Sequence, residues 1–377
     1  MFNVIVLGLV SFLTDVSSEM VYPILPLYLT ARLGASPGIV GIIEGIAESL
    51  ASLLKVFSGY ISDRLGKRKV LTMVGYGSST VGKVLLYLST SWLWVLAGRI
   101  VDRFGKGVRT APRDALIADS TAADHRGAAF GLHRTLDTAG AATGVLLAYF
   151  FLTRYQGNFA AVFLWAVIPA VAAILILTLV RETKREGLSK GERPSLQWST
   201  LPPRLKAFLL VVLAFTLGNS SNQFLLLRAK NVGFDAPTVL LLYLAYNIIF
   251  ATVSLPAGRL SDRLGRKTLL VAGYVVYGLV YLGFALVKAP LQVWLLFAVY
   301  GLYMAFTEGV EKALVTDIAP QELRATMIGL HATVVGIGLL PASALAGLLW
   351  DWLGPQAPFY FGGLMGVIAA VGLAIVI

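Results

Sequence analysis

Long apolar runs follow one another from end to end of this 377-residue chain, each closed by a short polar or glycine-containing loop. A helix needs about 20 apolar residues to cross the hydrocarbon of a bilayer. On that measure the pattern predicts twelve spans, at 4–30, 37–57, 70–89, 92–117, 126–152, 159–180, 206–228, 237–257, 268–287, 290–317, 325–349 and 357–377. What remains is short loops, with no room for a sizeable soluble domain. The longest polar stretch, 181–206, holds Pro194, Pro202 and Pro203 and reads as a linker, with Trp198 at the membrane interface. The predicted fold class is an all-α polytopic membrane protein. Its domains are a six-helix bundle at 1–180, the linker, and a second bundle at 207–377.

Polar positions are unevenly shared among the spans. Spans 3, 6, 9 and 12 are nearly free of charge, Lys83 excepted, whereas spans 1, 2, 4, 5, 10 and 11 carry ionisable groups. A charge facing lipid costs several kcal/mol. The charged spans therefore form an inner set around a polar path and the others an outer, supporting set.

The chain also repeats itself. Gly59-Tyr60-Ile61-Ser62-Asp63-Arg64-Leu65-Gly66-Lys67-Arg68 returns as Gly258-Arg259-Leu260-Ser261-Asp262-Arg263-Leu264-Gly265-Arg266-Lys267. Arg126-Gly127-Ala128-Ala129-Phe130-Gly131-Leu132-His133 returns as Arg324-Ala325-Thr326-Met327-Ile328-Gly329-Leu330-His331. The offsets, 199 and 198 residues, make two related halves, and repeated halves in a membrane are a transporter signature.

Composition sharpens this picture. Apolar residues make up 57% and charged residues only 14%, with a mean hydropathy of +0.77; a soluble domain carries roughly 25% charged residues. The net charge of +11 would point to nucleic acid in a soluble protein. Here 17 Lys and Arg fall in loops after even-numbered spans and 5 in loops after odd-numbered spans. The positive-inside rule then places both termini in the cytoplasm of a cell with a plasma or inner membrane, and leaves no role for nucleic acid. The absence of cysteine excludes disulfides, thiol catalysis and Cys-ligated metals. The first run lacks a basic start and carries Asp15 and Glu19, so it reads as a span rather than a cleaved signal. No P-loop is present, which argues against ATP as the drive; no cofactor and no metal site are expected.

The twin loops, Gly-x-x-x-Asp-Arg-x-Gly followed by basic residues, resemble the cytoplasmic motif of the major facilitator superfamily, and the likeness covers essentially the whole chain. It implies that Asp63, Arg64, Gly66, Arg68, Asp119 and Arg126 form a gating charge cluster in one half, with Asp262, Arg263, Gly265, Arg266, Asp317 and Arg324 in the other. Gly66 and Gly265 would allow the tight turn. Span 4 matches the family's second motif only in part: Arg99 falls on its intramembrane arginine, while Asp102 and Arg103 stand where Gln and Gly are usual. Span 5 lacks the Gly-Pro pair of drug antiporters and keeps Gly140 and Gly144 as a small-residue contact.

Candidate chemistry lies on the inner spans. Arg99, Arg103, Lys106, Arg109 and Arg113 share an arc of roughly 120° on span 4. They read either as a basic wall for an anionic group or as cations neutralised by Asp102, Asp114 and Asp137. Asp15 and Glu19 share a helical face, as do Glu44 and Glu48, and paired buried carboxylates suit a proton carrier. The proton-coupling candidates are Asp15, Glu19, Glu48 and Glu308. The substrate-binding candidates are Arg99, Arg103, Lys106, Arg134, Asn222, Tyr243, Asn247 and Glu311. His133 and His331, at matched positions, read as packing residues. Together these features predict a monomeric, non-enzymatic, proton-coupled carrier of a small anionic or zwitterionic solute. The alternatives are a cation or metal carrier using the carboxylates of spans 1 and 2, and a non-transporting membrane sensor or assembly factor.

Overall fold

The computed structural model describes residues 2–65, 67–122, 125–182, 201–319 and 324–377, without the side chains of residues 60, 63, 65 and 324–326. Gly66, the side chains of Asp63 and Arg324, and most of the linker, Trp198 included, lie outside the described residues. Twelve helical spans follow in order: α1 (Phe2–Ala31), α2 (Pro37–Leu65), α3 (Arg68–Tyr87), α4 (Trp92–Asp119), α5 (Arg126–Arg154), α6 (Phe159–Leu177), α7 (Pro203–Val232), α8 (Ala236–Leu264), α9 (Arg266–Leu286), α10 (Pro290–Ile318), α11 (Arg324–Leu353) and α12 (Ala357–Val376). No strand occurs among the described residues.

Among the described residues, nine of these are long and apolar enough to cross a membrane by length and composition. The other three are α2, α3 and α4. α4 alone carries Arg99, Asp102, Arg103, Lys106, Arg109, Arg113 and Asp114. Such helices stay in a membrane only when packing partners neutralise the charge. Outward-facing positions are strongly apolar: Leu291 is 70% exposed and Leu255 65%.

Several boundaries differ from the sequence pattern. α2 and α8 run about two turns past their predicted ends, so the repeated Gly-x-x-x-Asp-Arg segments are helical, and α7 opens at Pro203, inside the expected linker. Apolar periodicity stops before these polar turns, but nothing in them breaks a helix. Two spans are interrupted. In α1, Pro23 cannot donate a backbone hydrogen bond, and Tyr22–Ile24 tightens into a 3-10 turn. In α7, residues 219–222 leave the helix. Irregular backbone at membrane depth must find new partners. The freed Gly218 carbonyl accepts from Tyr277 at 2.7 Å, and the Ser221 N–H donates to Ser343 Oγ at 3.2 Å.

The chain forms two compact units: residues 1–35, 46–187 and 235–244; and residues 36–45, 188–234 and 245–377. In the first, glycines let α3 and α4 touch backbone to backbone. A Cβ on Gly82 would lie 2.7 Å from both Gly98 O and Asp102 N, and one on Gly75 2.7 Å from Gly105 O. Gly140 and Gly144 pack on the α1 backbone at Phe12 and Val16. In the second unit, α9 packs on α10 and α12 around buried Tyr274, Tyr277, Tyr281 and Tyr300.

Candidate functional site

The close α3–α4 contact brings buried charges together in the first unit. Lys83 donates to Asp102 Oδ1 at 3.2 Å. Asp102 also lies 3.6 Å from Arg99 Nη1 and 3.9 Å from Arg103 Nε. From α2, Glu48 Oε1 stands 3.0 Å from Arg103 Nη2 and 3.7 Å from Arg99 Nη2. Asp102 and Glu48 thus lie among Lys83, Arg99 and Arg103, and the Arg99 side chain is only 2% exposed. Lys83 reaches Asp102 across the glycine contact between α3 and α4. Lys106 is exposed, in the electrostatic range of Arg103, Glu48 and Asp15.

The 3-10 turn of α1 presents Tyr22 to this cluster. Its ring lies 5.7 Å from the Arg99 guanidinium and 5.8 Å from that of Arg103. A cation over an aromatic face is stabilised by the ring quadrupole. Tyr22 also lies 5.9 Å from the ring of Tyr243, whose hydroxyl donates to Glu19 Oε2 at 2.8 Å. Glu19, Tyr243, Tyr22, Arg99, Arg103, Glu48, Asp102 and Lys83 therefore form one continuous string.

A second group lies between α1 and α5. Asp15 lies within electrostatic range of Asp137. Asp137 accepts from Ser11 Oγ, and His133 Nε2 lies 4.0 Å away. Arg113 donates to Ser11 Oγ at 3.3 Å and to Asp114 at 2.8 Å. Arg109 donates to Ser79 and covers the Tyr76 ring at 4.5 Å. Arg134 is exposed and lies within electrostatic range of His133.

The second unit holds a differently composed set. Around the α7 break, Asn222 donates to the Tyr246 hydroxyl at 3.3 Å and accepts from Tyr300 at 2.6 Å. Asn219 donates to Tyr303 at 3.1 Å. Glu311 accepts from the Tyr274 hydroxyl at 3.0 Å, with His331 Nε2 at 3.3 Å. Asn247 is half-buried, while Glu308 pairs at 3.8 Å with exposed Lys312. The charges of the first unit are matched here by amides and tyrosines.

The repeated loops build equivalent ion pairs. Arg68, at the start of α3, pairs with Asp119 and donates to the Ala115 carbonyl at 3.2 Å. Arg266, at the start of α9, lies 2.6 Å from Asp317 and donates to the Ala313 carbonyl at 2.6 Å. Lys69 and Lys267 each donate to a helix-end carbonyl, Thr178 and Ala374, at 2.8 Å. Aligning the motifs on their glycines sets Arg266 against Lys67. The structure instead matches it with Arg68, because the first copy has one extra residue before its helix starts. Gly265 has φ +90°, the turn expected of it. Asp262 lies 3.8 Å from Arg266, whereas Arg64, Arg126 and Arg263 are exposed.

A twelve-helix chain with two matched Arg–Asp loop pairs agrees with its similarities. The model of the Major Facilitator Superfamily matches residues 7–227 and 207–377. An uncharacterized MFS-type transporter of Methanocaldococcus jannaschii is 40% identical over 376 residues, covering 98% of this chain and 93% of its own. The chain belongs to the major facilitator superfamily. Multidrug resistance protein MdtH of Sodalis glossinidius is 25% identical, over 94% of this chain and 88% of its own. Among solved structures, the nucleoside transporter NupG superposes with a TM-score of 0.80 at 14% identity, covering 100% of this chain and 99% of its own. A D-xylose–proton symporter superposes with a TM-score of 0.74 at 17% identity, covering 99% of this chain and 97% of its own. The protein is thus a multi-span membrane transporter, of a family of carriers rather than enzymes.

Sequence reasoning missed Tyr22 and left Asp137 out of the proton-site set. A Pro directly after Tyr22 inside an apolar span was the available signal for the first. For the second, Asp137 faces Asp15 only because Gly140 and Gly144 draw α5 onto α1.

Proposed function

We propose that this protein is a secondary active transporter that moves a small anionic or zwitterionic solute by alternating access, driven by protons, in the plasma membrane with both termini cytoplasmic. The observation that carries the substrate class is the pair of buried guanidiniums, Arg99 and Arg103, gathered at the break in α1. Interrupted helices mark binding sites in transporters of several folds, and guanidinium forks suit carboxylate and phosphate groups. Glu19, joined to this string through Tyr243, offers a place for the amine of a zwitterion. The proton is assigned to the Asp15–Asp137 pair, since two carboxylates in electrostatic range of one another disfavour a second negative charge. Glu48 is assigned instead as the counter-ion of the arginines. The Arg68–Asp119 and Arg266–Asp317 pairs are the gating contacts, and the two sequence halves, 1–180 and 207–377, are the moving bodies.

A second reading, export of organic cations, draws on the aromatic set at Tyr246, Tyr300 and Tyr303, on the carboxylates of α1, and on relatives named for multidrug resistance. Thermal stabilisation of the purified protein by size-matched anionic, zwitterionic, neutral and cationic compounds separates the two. The proposal expects carboxylate- or phosphate-bearing compounds to stabilise, less so in Arg103→Lys, where charge remains and the fork is lost. Stabilisation by cations alone, lost in Asp15→Asn and kept in Arg103→Ala, would replace it with the second reading.

A further inference from the structure

The second unit contains a cavity of about 480 Å³ at the end where α7, α9 and α11 finish and α10 and α12 begin. Its lining includes Arg228, Leu286, Lys288, Leu353, Gln356 and Tyr360. Nothing in the transport scheme uses it.

Arg228 is 4% exposed. Its Nε donates to the Phe284 carbonyl at 3.0 Å, its Nη2 to the Ala285 and Val287 carbonyls at 3.4 Å, and its Nη1 to Asn231 Oδ1 at 2.5 Å. These bonds tie down the end of α9 and account for the residue's burial. All four acceptors are neutral, and no carboxylate pairs with Arg228 among the described residues. A buried cation without an anion is costly. A guanidinium has five N–H donors, and the two contacts at 3.4 Å are long. Lys288 adds an exposed ammonium at the same cavity, also without an ion pair among the described residues.

The surroundings of this cationic floor are apolar and outward-facing. Leu286 is 63% exposed, Leu353 72% and Trp352 76%. Aromatic residues at a helix end mark the headgroup level of a bilayer, and Tyr360 lines the cavity at that level. A basic pocket among helix ends with exposed apolar side chains beside it has the two-part chemistry of a phospholipid site.

We propose that this cavity binds the phosphate of an anionic phospholipid headgroup, with Lys288 and Arg228 as its cationic contacts and Leu286, Trp352 and Leu353 alongside the acyl chains. On the proposed topology the lipid comes from the outer leaflet. The phosphate supplies the missing counter-charge and pins the end of α9 to the starts of α10 and α12.

The test uses the full chain in a neutral detergent, with dioctanoyl phosphatidylglycerol as probe and glycerol 1-phosphate as its soluble counterpart. Binding is followed by titration calorimetry. The lipid should bind saturably, and Lys288→Gln should weaken it by about tenfold, the worth of one charged hydrogen bond. Lys288→Glu should abolish binding, and thermal unfolding without lipid should be unchanged because Lys288 is exposed. Arg228→Gln should weaken binding as well; if it does not fold, the two Lys288 variants decide. Equal lipid affinity in wild type and both Lys288 variants would overturn the proposal. So would glycerol 1-phosphate binding as tightly as the lipid, which would make this a site for a soluble anion.

Discussion

The buried Lys83–Asp102 pair gives the sharpest energetic prediction. Lys83 and Asp102 side chains are 3% and 10% exposed and 3.2 Å apart. Asp102→Asn keeps the side-chain shape but removes the carboxylate that pairs with Lys83 and lies beside Arg99 and Arg103. Breaking a buried pair from one side costs about 3–5 kcal/mol. Lys83→Met should cost less, about 1–3 kcal/mol, because Asp102 still has Arg99 at 3.6 Å and Arg103 at 3.9 Å. The double variant should be more stable than the sum of the two losses implies, with a coupling of about 1–3 kcal/mol. Equilibrium unfolding in mixed micelles, followed by tryptophan fluorescence, measures all four corners of the cycle. Losses that add to within about 0.5 kcal/mol would show the two side chains to be energetically independent and refute the reasoning.

Gly82→Leu should prevent α3 and α4 from meeting and destabilise the protein by more than Lys83→Met does, measurable in the same unfolding assay; equal or smaller losses would mean that the helices part easily. Asp119→Asn and Asp317→Asn should each slow transport and shift distances between spin labels on the loops that carry these pairs, while leaving ligand stabilisation intact; unchanged distances and rates would reduce both pairs to topology anchors. Tyr277→Phe removes the donor to the freed Gly218 carbonyl and should cost about 1–3 kcal/mol; a loss below about 0.5 kcal/mol would mean that the α7 break is satisfied elsewhere.

The twelve spans were legible because apolar runs and membrane thickness leave few alternatives; the charge clusters at the twin loops were implied only by the family resemblance, and of their members the structure pairs Arg68 with Asp119 and Arg266 with Asp317. The sequence could not choose between the basic-wall and neutralised readings of α4. That choice depends on Lys83 and Glu48, which reach α4 from other helices through glycine contacts that periodicity does not report. The breaks at Tyr22 and at 219–222 escaped for a related reason. Hydropathy averages over a window and stays high across a short interruption, even where Pro23 or a run of amides marks it. Register between the repeats failed by one residue for Arg266, since an insertion in a turn leaves the motif recognisable.

Proton movement in reconstituted vesicles tests the central claim most directly. Purified protein in proteoliposomes holding a pH-sensitive dye is offered, one compound at a time, a panel of small carboxylate- and phosphate-bearing solutes, and internal pH is followed without an imposed gradient. The account predicts that at least one such solute moves protons in the wild type, that Asp15→Asn and Asp137→Asn abolish the signal, and that both variants still bind that solute. A solute that accumulates with no change in internal pH, or proton movement that survives in both variants, would contradict it.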